Sequence, residues 1–310
     1  MSGSPVTGNR TWWDTWLGAE EDPTGSWSVS KPRPYAAFGV VGELQTVRLF
    51  SFGSKLNAEL FRPIGARQGP LVIVPFYETA TVFGMASARA GSSRLWHRAH
   101  GLHLAQHGLC VLAVPWWFES EAAERRPGAD QSLSARYGPA AELHNRNHVN
   151  TPLGRSVADL RLAVSAVLAE GLGTREHIAA FGHSLGAKLA LHLTALDTRI
   201  ALTAVHEPGL GLGYSNWDAP WYLGARLPSG RDHDELLRLI NPRPLLLAGG
   251  GASDGEHNRY LIDRASASAR PPSQAATLYH NTGHSLPFFV MAAIRTWFAE
   301  QLDRYFQDER

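Results

Sequence analysis

Residues 177–196 read His177-Ile-Ala-Ala-Phe-Gly182-His183-Ser184-Leu185-Gly186-Ala187-Lys-Leu-Ala-Leu-His-Leu-Thr-Ala-Leu196. A short apolar run leads into the pattern G-x-S-x-G, and an apolar stretch with helical spacing follows it. This order predicts a strand, a tight turn and a helix, which is the context in which such a serine acts as a nucleophile. We therefore expect the Ser184 hydroxyl to project from the sheet edge, beside the N–H of Leu185 at the start of a helix.

The same five-residue pattern occurs a second time, at Gly251–Gly255. It also follows an apolar run, at 244–248. In a sheet of this kind the serine precedes the acid, and the histidine comes last in the chain. After Ser253 only about one strand–helix unit would remain, which is too little for an acid on its own strand. Chain order therefore favours Ser184, and the second match indicates the turn that carries the acid.

The composition predicts a globular protein with a large core. The chain has 310 residues, of which 44% are hydrophobic and 18% are charged, and its net charge of +1 gives no indication of a nucleic-acid partner. Its apolar runs have the length of strands, which argues against a membrane span. The single cysteine, Cys110, cannot form an internal disulfide, and residues 1–10 lack the apolar core of a signal peptide. We therefore expect a cytoplasmic protein.

Apolar runs and helical patterns alternate along most of the chain, which predicts an α/β fold. We expect an N-terminal extension at 1–35, with a short helix near 12–17, and one domain at 36–310. An antiparallel hairpin at a sheet edge is predicted at 44–61, followed by a mostly parallel sheet with helices on both faces. Its strands are predicted at 70–75, 110–117, 177–182, 200–205, 244–248 and 275–280. Its helices are predicted near 93–107, 153–170, 185–196, 233–239, 258–267 and 285–307. A polar excursion with some helix is predicted at 118–151, and an aromatic insert at 208–227 precedes the acid strand.

A serine hydroxyl needs a base and an acid partner for that base. His284 follows the last predicted strand and precedes the final helix, so it is the predicted base, with His280 as the alternative. Asp254 follows the strand at 244–248 after a glycine turn, and it is the predicted acid. Glu207, at the end of the preceding strand, is the alternative acid, and Glu256 is a weaker one.

An acyl-transfer intermediate also needs two N–H donors for its oxyanion. Leu185 supplies one, and Tyr77, after the strand at 70–75, is predicted to supply the other, with Glu78 next in order. In the aromatic insert, Trp217 and Trp221 are four residues apart. They are predicted either to form a wall of the substrate pocket or to pack the insert onto the body of the protein.

These residues resemble the α/β-hydrolase family: Gly182–Gly186 follows a strand, Asp254 follows a later strand, and Gly283-His284 precedes the last helix. Within the family, Val74–Tyr77 and His206–Leu223 are similar to the dienelactone hydrolase and acetyl-xylan-esterase-like branch. The resemblance implies a serine hydrolase that cleaves a small-molecule carboxylic ester without a metal or organic cofactor. A serine departs from the cysteine nucleophile of dienelactone hydrolases and favours the esterases.

Other functions remain open at this level. A thioesterase, a lactonase or an acyltransferase would use the same fold and the same residues. A peptidase is disfavoured because the chain lacks an extra domain or a charged subsite. A non-catalytic binding protein with a hydrolase fold would not need Ser184, His284 and Asp254 together.

Overall fold

The computed structural model of the chain describes residues 5–66, 70–86, 96–125, 132–174, 177–224, 226–267 and 274–308. Ten strands form one sheet, in the order β1-β3-β4-β6-β5-β7-β8-β9-β10, with β2 also paired to β3. The segment from β5 to β10 is parallel, and β3 pairs antiparallel with β4. The predicted α/β class with a mostly parallel sheet is therefore confirmed.

The strands extend over these residues: β1 Ser26–Val29, β2 Arg33–Ala37, β3 Val40–Ser51, β4 Ser54–Pro63, β5 Leu71–Phe76, β6 Cys110–Pro115, β7 Ile178–His183, β8 Leu202–His206, β9 Leu245–Gly249 and β10 Ala275–Tyr279. All residues of β5, β8 and β9 are buried. Helices cover both faces of a parallel sheet, so its central strands consist of apolar runs.

The helices extend over these residues: α1 Pro5–Leu17, α2 Thr79–Val82, α3 His100–Ala105, α4 Trp117–Arg125, α5 Leu133–Asn147, α6 Pro152–Ala169, α7 Leu185–Leu196, α8 Asp234–Ile240, α9 Tyr260–Ala267 and α10 Phe288–Asp308. Apolar residues of α1 and α6 to α9 pack on one face of the sheet, and those of α2, α3 and α10 pack on the other. Helices therefore lie on both faces, as predicted. In the portion of the chain that is described, no helix has both the length and the apolar character needed to cross a bilayer.

Two predicted segments differ from the structure. The predicted helix at 93–107 is a 3₁₀ turn at Trp96–Arg98 followed by the short α3, and residues 93–95 lie outside the described residues. The polar excursion at 118–151, predicted to contain some helix, holds most of α4 and all of α5. The hairpin at β3 and β4 is present, but β1 and β2 continue the sheet beyond it. These two strands are short, so their alternation is too brief to stand out in the sequence.

The N-terminal segment packs on the body of the protein. Trp13 and Leu17 of α1 are fully buried in the main core. The Trp13 indole N–H donates to Glu235 Oε2 at 3.0 Å, and the Arg231 guanidinium lies 4.0 Å from the Trp12 ring centroid. Trp13 therefore attaches α1 to α8, and Trp12 attaches it to the segment before α8. Neither side chain lines the cavity beside Ser184 that is described below.

A buried ion pair joins α6 to the hairpin. Arg155 and Asp159 are both almost inaccessible to solvent, and the Arg155 Nε lies 3.2 Å from Asp159 Oδ2. Arg155 also donates to the Ser51 carbonyl at 3.0 Å, and its guanidinium lies 4.5 Å from the Trp117 ring centroid. Burial raises the pKa of Asp159 to about 6, although Arg155 lowers it. This carboxylate therefore depends on Arg155 to remain charged.

We predict that Arg155→Met lowers the free energy of unfolding by about 3–5 kcal/mol, because it leaves a buried carboxylate without its cation. Denaturant unfolding at neutral pH measures this change. The matched control is Arg146→Met, which removes an exposed i,i+4 pair with Glu142 and is expected to change stability by less than about 0.5 kcal/mol. Equal effects of the two substitutions would contradict the structural role given to Arg155.

Candidate active site

Ser184 occupies the turn between β7 and α7, as the sequence predicts. Its φ of 56° and ψ of −119° are strained for a residue with a side chain. The two flanking glycines allow this turn: a Cβ at Gly182 would lie 2.1 Å from the Gly186 carbonyl oxygen, and a Cβ at Gly186 would lie 2.2 Å from the Pro75 carbonyl oxygen. The segment therefore has the geometry of a nucleophile elbow.

His284 reaches Ser184 from the loop between β10 and α10. Its Nε2 lies 2.7 Å from Ser184 Oγ, within hydrogen-bond distance for proton transfer. The imidazole is partly exposed, so both its ring and the serine hydroxyl are accessible from the cavity. The structure therefore brings the predicted nucleophile and the predicted base together across 100 positions of the chain.

The carboxylate beside His284 belongs to Glu207, the alternative acid. Glu207 Oε2 lies 3.3 Å from His284 Nδ1, and the same carboxylate accepts hydrogen bonds from the backbone N–H groups of Gly250 and Ser253. Burial by itself would raise the pKa of Glu207. The hydrogen bonds from His284, Gly250 and Ser253 outweigh burial and lower that pKa to about 2. Glu207 is therefore ionised at neutral pH, and the N–H groups of Gly250 and Ser253 hold its carboxylate in place.

Asp254, the acid preferred from the sequence, does not lie beside His284. Its fully buried carboxylate accepts hydrogen bonds from the N–H groups of Gly209 at 2.5 Å and Leu210 at 2.7 Å, and from the Asn258 amide at 3.0 Å. Burial raises the pKa of Asp254, while these hydrogen bonds lower it. Asp254 thus holds the loop that follows Glu207.

The turn after β9 explains this correction. β9 ends at Gly249, and the following loop folds back, with the Gly251 N–H donating to the Asp254 carbonyl at 2.9 Å. This fold directs the Asp254 side chain toward the insert. Glu207, by contrast, directly follows β8, and β8 pairs with β7 in a register that matches His206 with His183. The position of Glu207 at the end of the strand predicted at 200–205 was the available sequence signal.

The predicted oxyanion donors come from the start of α7 and from the segment after β5. Leu185 is the first residue of α7, so its N–H has no acceptor one turn earlier in the helix. Tyr77 directly follows β5, which pairs with β7. Tyr77 and Ser184 line the same cavity, which has a volume of about 320 Å³. Other residues that line this cavity are Phe76, Thr81, His100, His183, His284 and Leu286.

Trp217 and Trp221 do not line this cavity. Trp217 is fully buried, and its indole N–H donates to the Gly209 carbonyl at 2.7 Å. Trp221 is also buried, with its ring centroid 5.9 Å from that of Tyr137. The pocket-wall prediction is therefore wrong, and the alternative prediction that these side chains pack the insert onto the body is correct. The four-residue spacing could not distinguish these two predictions, because it does not show which face of the insert packs against the body of the protein.

Sequence reasoning did not consider two side chains near the site. Lys188 is buried, its Nζ lies 3.6 Å from the Trp217 ring centroid and 3.0 Å from Ser215 Oγ, and burial lowers its pKa to about 7. His183, directly before Ser184, lines the cavity.

His280, the alternative base, has its Nε2 2.9 Å from His206 Nε2, and it makes no hydrogen bond to Ser184 in the described part of the chain.

No family model matches the chain, and no curated protein matches it in sequence. Solved structures match it in three dimensions. A glucuronoyl esterase from Solibacter usitatus matches with a TM-score of 0.67 and 11% identity over 96% of this chain and 91% of that chain. A glucuronoyl esterase from Teredinibacter turnerae T7901 matches with a TM-score of 0.65 and 15% identity over 97% and 87%.

A putative acetyl xylan esterase from Bacteroides fragilis NCTC 9343 matches with a TM-score of 0.68 and 15% identity, over 90% of this chain and 75% of that chain. At these identities the likeness is one of fold. The sheet order, the strained serine turn between β7 and α7, and the late histidine loop agree with it. The chain therefore has the α/β-hydrolase fold.

Proposed function

We propose that this protein is a serine hydrolase that cleaves carboxylic esters, with Ser184 as nucleophile, His284 as base and Glu207 as the acid of the triad. The observation that carries the proposal is the continuous line of contacts from Ser184 Oγ to His284 Nε2 at 2.7 Å and from His284 Nδ1 to Glu207 Oε2 at 3.3 Å. A nucleophile, its base and a carboxylate that orients the base are the parts that acyl transfer requires.

The proposed reaction begins when Ser184 Oγ attacks the acyl carbon and His284 Nε2 takes the hydroxyl proton. The tetrahedral oxyanion is stabilised by the N–H groups of Leu185 and Tyr77. His284 then gives its proton to the leaving alcohol oxygen, and the acyl group remains on Ser184. A water molecule, deprotonated by His284, attacks the acyl-enzyme and releases the carboxylic acid and free Ser184. These steps use only groups of this chain and water.

Glu207 supports the charged form of His284 during this cycle. Its pKa of about 2 keeps the carboxylate negative when the imidazolium forms. The N–H groups of Gly250 and Ser253 prevent the carboxylate from turning away, so His284 keeps its Nδ1–H toward Glu207 and its Nε2 toward Ser184. A fixed orientation of the base is worth several powers of ten in rate in known triads.

Two further observations support an ester of modest size as substrate. The cavity beside Ser184 has a volume of about 320 Å³, at the small end of ligand pockets. The matching solved structures are described as glucuronoyl and acetyl xylan esterases. We therefore propose small esters, including those of carbohydrates, as the substrate class.

We predict that Ser184→Ala abolishes turnover of p-nitrophenyl acetate, with a loss of about 10⁶-fold in kcat, and abolishes labelling by a fluorophosphonate probe. The matched control is Ser253→Ala in the second G-x-S-x-G. It keeps the backbone N–H that binds Glu207, and it should leave labelling intact. Failure of the wild-type protein to react with the probe would reject the proposed function.

We predict that Glu207→Gln lowers kcat by about 10⁴-fold, since a carboxamide has one acceptor oxygen for four N–H donors and cannot hold His284 in its orientation. Asp254→Asn should reduce kcat by less than about tenfold and act mainly on stability, by about 1–3 kcal/mol, through the Gly209 loop. Steady-state kinetics and denaturant unfolding measure the two effects. A larger loss of kcat in Asp254→Asn than in Glu207→Gln would restore Asp254 as the acid.

A further inference from the structure

Three histidines that the proposed mechanism does not use are hydrogen-bonded in a row. His280 Nε2 lies 2.9 Å from His206 Nε2, and His206 Nδ1 lies 2.9 Å from His183 Nδ1. His183 ends β7 directly before Ser184, and His206 ends β8 directly before Glu207. We call these three residues the histidine row. It extends from the loop after β10 to the wall of the cavity.

Hydrogen bonds between Thr282 and His280, at one end of the histidine row, determine which ring nitrogens carry protons. The Thr282 backbone N–H is 3.4 Å from His280 Nδ1, and the Thr282 hydroxyl is 2.8 Å from the same atom. A backbone N–H can only donate, so His280 Nδ1 accepts and the neutral ring carries its proton on Nε2. His280 Nε2–H then donates to His206 Nε2.

The same reasoning applies to the next two rings. His206 accepts at Nε2, so its proton is on Nδ1 and is donated to His183 Nδ1. His183 then accepts at Nδ1 and must carry its own proton on Nε2. Each N···N contact holds one proton, and all three rings are neutral.

The surroundings of the row favour neutral rings. Burial lowers the pKa of His206 to about 3 and lowers the pKa of His183 well below its usual value, and neighbouring histidines add to both effects. The Glu207 charge opposes the shift of His206, and a contact with the His206 backbone opposes that of His183, but burial outweighs both. Burial also lowers the pKa of His280. A cation at His183 would also face His284, whose ring centroid is 5.2 Å away and which becomes positive during turnover.

Nε2 is the ring nitrogen of His183 that the histidine row does not use. His183 lines this cavity together with Ser184 and His284, and its ring contact with His206 uses Nδ1, which leaves Nε2 for a partner in the cavity. A donor in the wall of a substrate cavity can pair with an acceptor oxygen of the bound molecule. Every carboxylic ester carries such oxygens.

We propose that the histidine row holds His183 as the Nε2–H tautomer, so that His183 donates a hydrogen bond to an oxygen of the ester substrate. The substrate contact rests on the proposed function, whereas the tautomer does not. His206 and His280 are positioning residues in this arrangement: they determine which His183 nitrogen carries the proton and do not touch substrate.

Nitrogen NMR of ¹⁵N-histidine-labelled protein tests the tautomers. At neutral pH, we expect long-range ¹H–¹⁵N spectra to show His183 and His280 protonated at Nε2 and His206 protonated at Nδ1. Single substitutions assign the signals among the 14 histidines. A protonated Nδ1 or a charged ring at His183 in the wild-type protein would overturn the proposal.

The variant His280→Phe tests whether the row sets the tautomer. It keeps an aromatic ring of similar size and removes the donor to His206, so His183 should change to a mixture of both tautomers. A His183 that stays entirely Nε2–H in this variant would show that the row does not control it. A loss of packing alone would leave the tautomer unchanged, so this measurement separates the two roles.

Two substitutions at His183 test the substrate contact. His183→Gln keeps an N–H donor near the position of Nε2, whereas His183→Met has a similar length and no donor. Both remove the Nδ1 acceptor, so they share any loss of stability. We expect His183→Met to lower kcat/KM for p-nitrophenyl acetate about tenfold, mostly through KM, and His183→Gln to lower it less than about threefold.

Equal losses in the two variants, or no loss in either, would reject the hydrogen bond to substrate. If the wild-type protein cleaves no ester and does not react with the fluorophosphonate probe, the proposed function and the substrate contact both fail. The NMR measurement would still accept or reject the tautomer of His183, so the two failures are distinguishable.

Discussion

The pairing of β7 with β8 determines the geometry of the whole site. The register matches His183 with His206, and the Ser184 N–H donates to the His206 carbonyl at 2.9 Å. The residues that follow these two strands, Ser184 and Glu207, therefore leave the sheet at the same level. A single imidazole from the loop after β10 can then contact both side chains. A shift of one residue in this register would exchange the faces of one strand and separate these groups.

Both residues at this level have a strained backbone. Ser184 has a φ of 56° and Glu207 a φ of 55°, and neither is a glycine. Such a conformation costs of order 1–3 kcal/mol and persists only where the surroundings impose it. At Ser184, the close contacts at Gly182 and Gly186 impose it; at Glu207, the carboxylate is held by the Gly250 N–H and the Ser253 N–H. Strained backbone at the matching positions after β7 and β8 indicates that the conformations of Ser184 and Glu207 are imposed together by the surrounding structure.

The sequence predicted the parts of this site that depend on local pattern or on chain order. The strand–turn–helix around Ser184 is contiguous in the chain, and His284 could be proposed as the base because a triad histidine comes last. The proposed acid could not be assigned in this way, since Glu207 and Asp254 both follow strands and differ only in the direction that the next turn gives the side chain. The pocket-wall prediction for the tryptophans of the insert failed for the same reason. The sequence indicates that these side chains make contacts, but only the folded chain shows which surface they pack against.

Two buried ionisable groups that take no part in the proposed chemistry, Asp254 and Lys188, explain how Glu207 keeps its position. Asp254 binds the N–H groups of Gly209 and Leu210, directly after Glu207 in the chain. Lys188 of α7 contacts the Trp217 ring, and Trp217 in turn donates to the Gly209 carbonyl. Asp254, in the turn after β9, and Lys188, in α7, therefore hold the loop that follows Glu207. The Glu207 carboxylate itself is held by backbone N–H groups of the turn after β9. Because Glu207 lies at the end of a short strand, without a helix to hold it, this support maintains its 3.3 Å contact with His284.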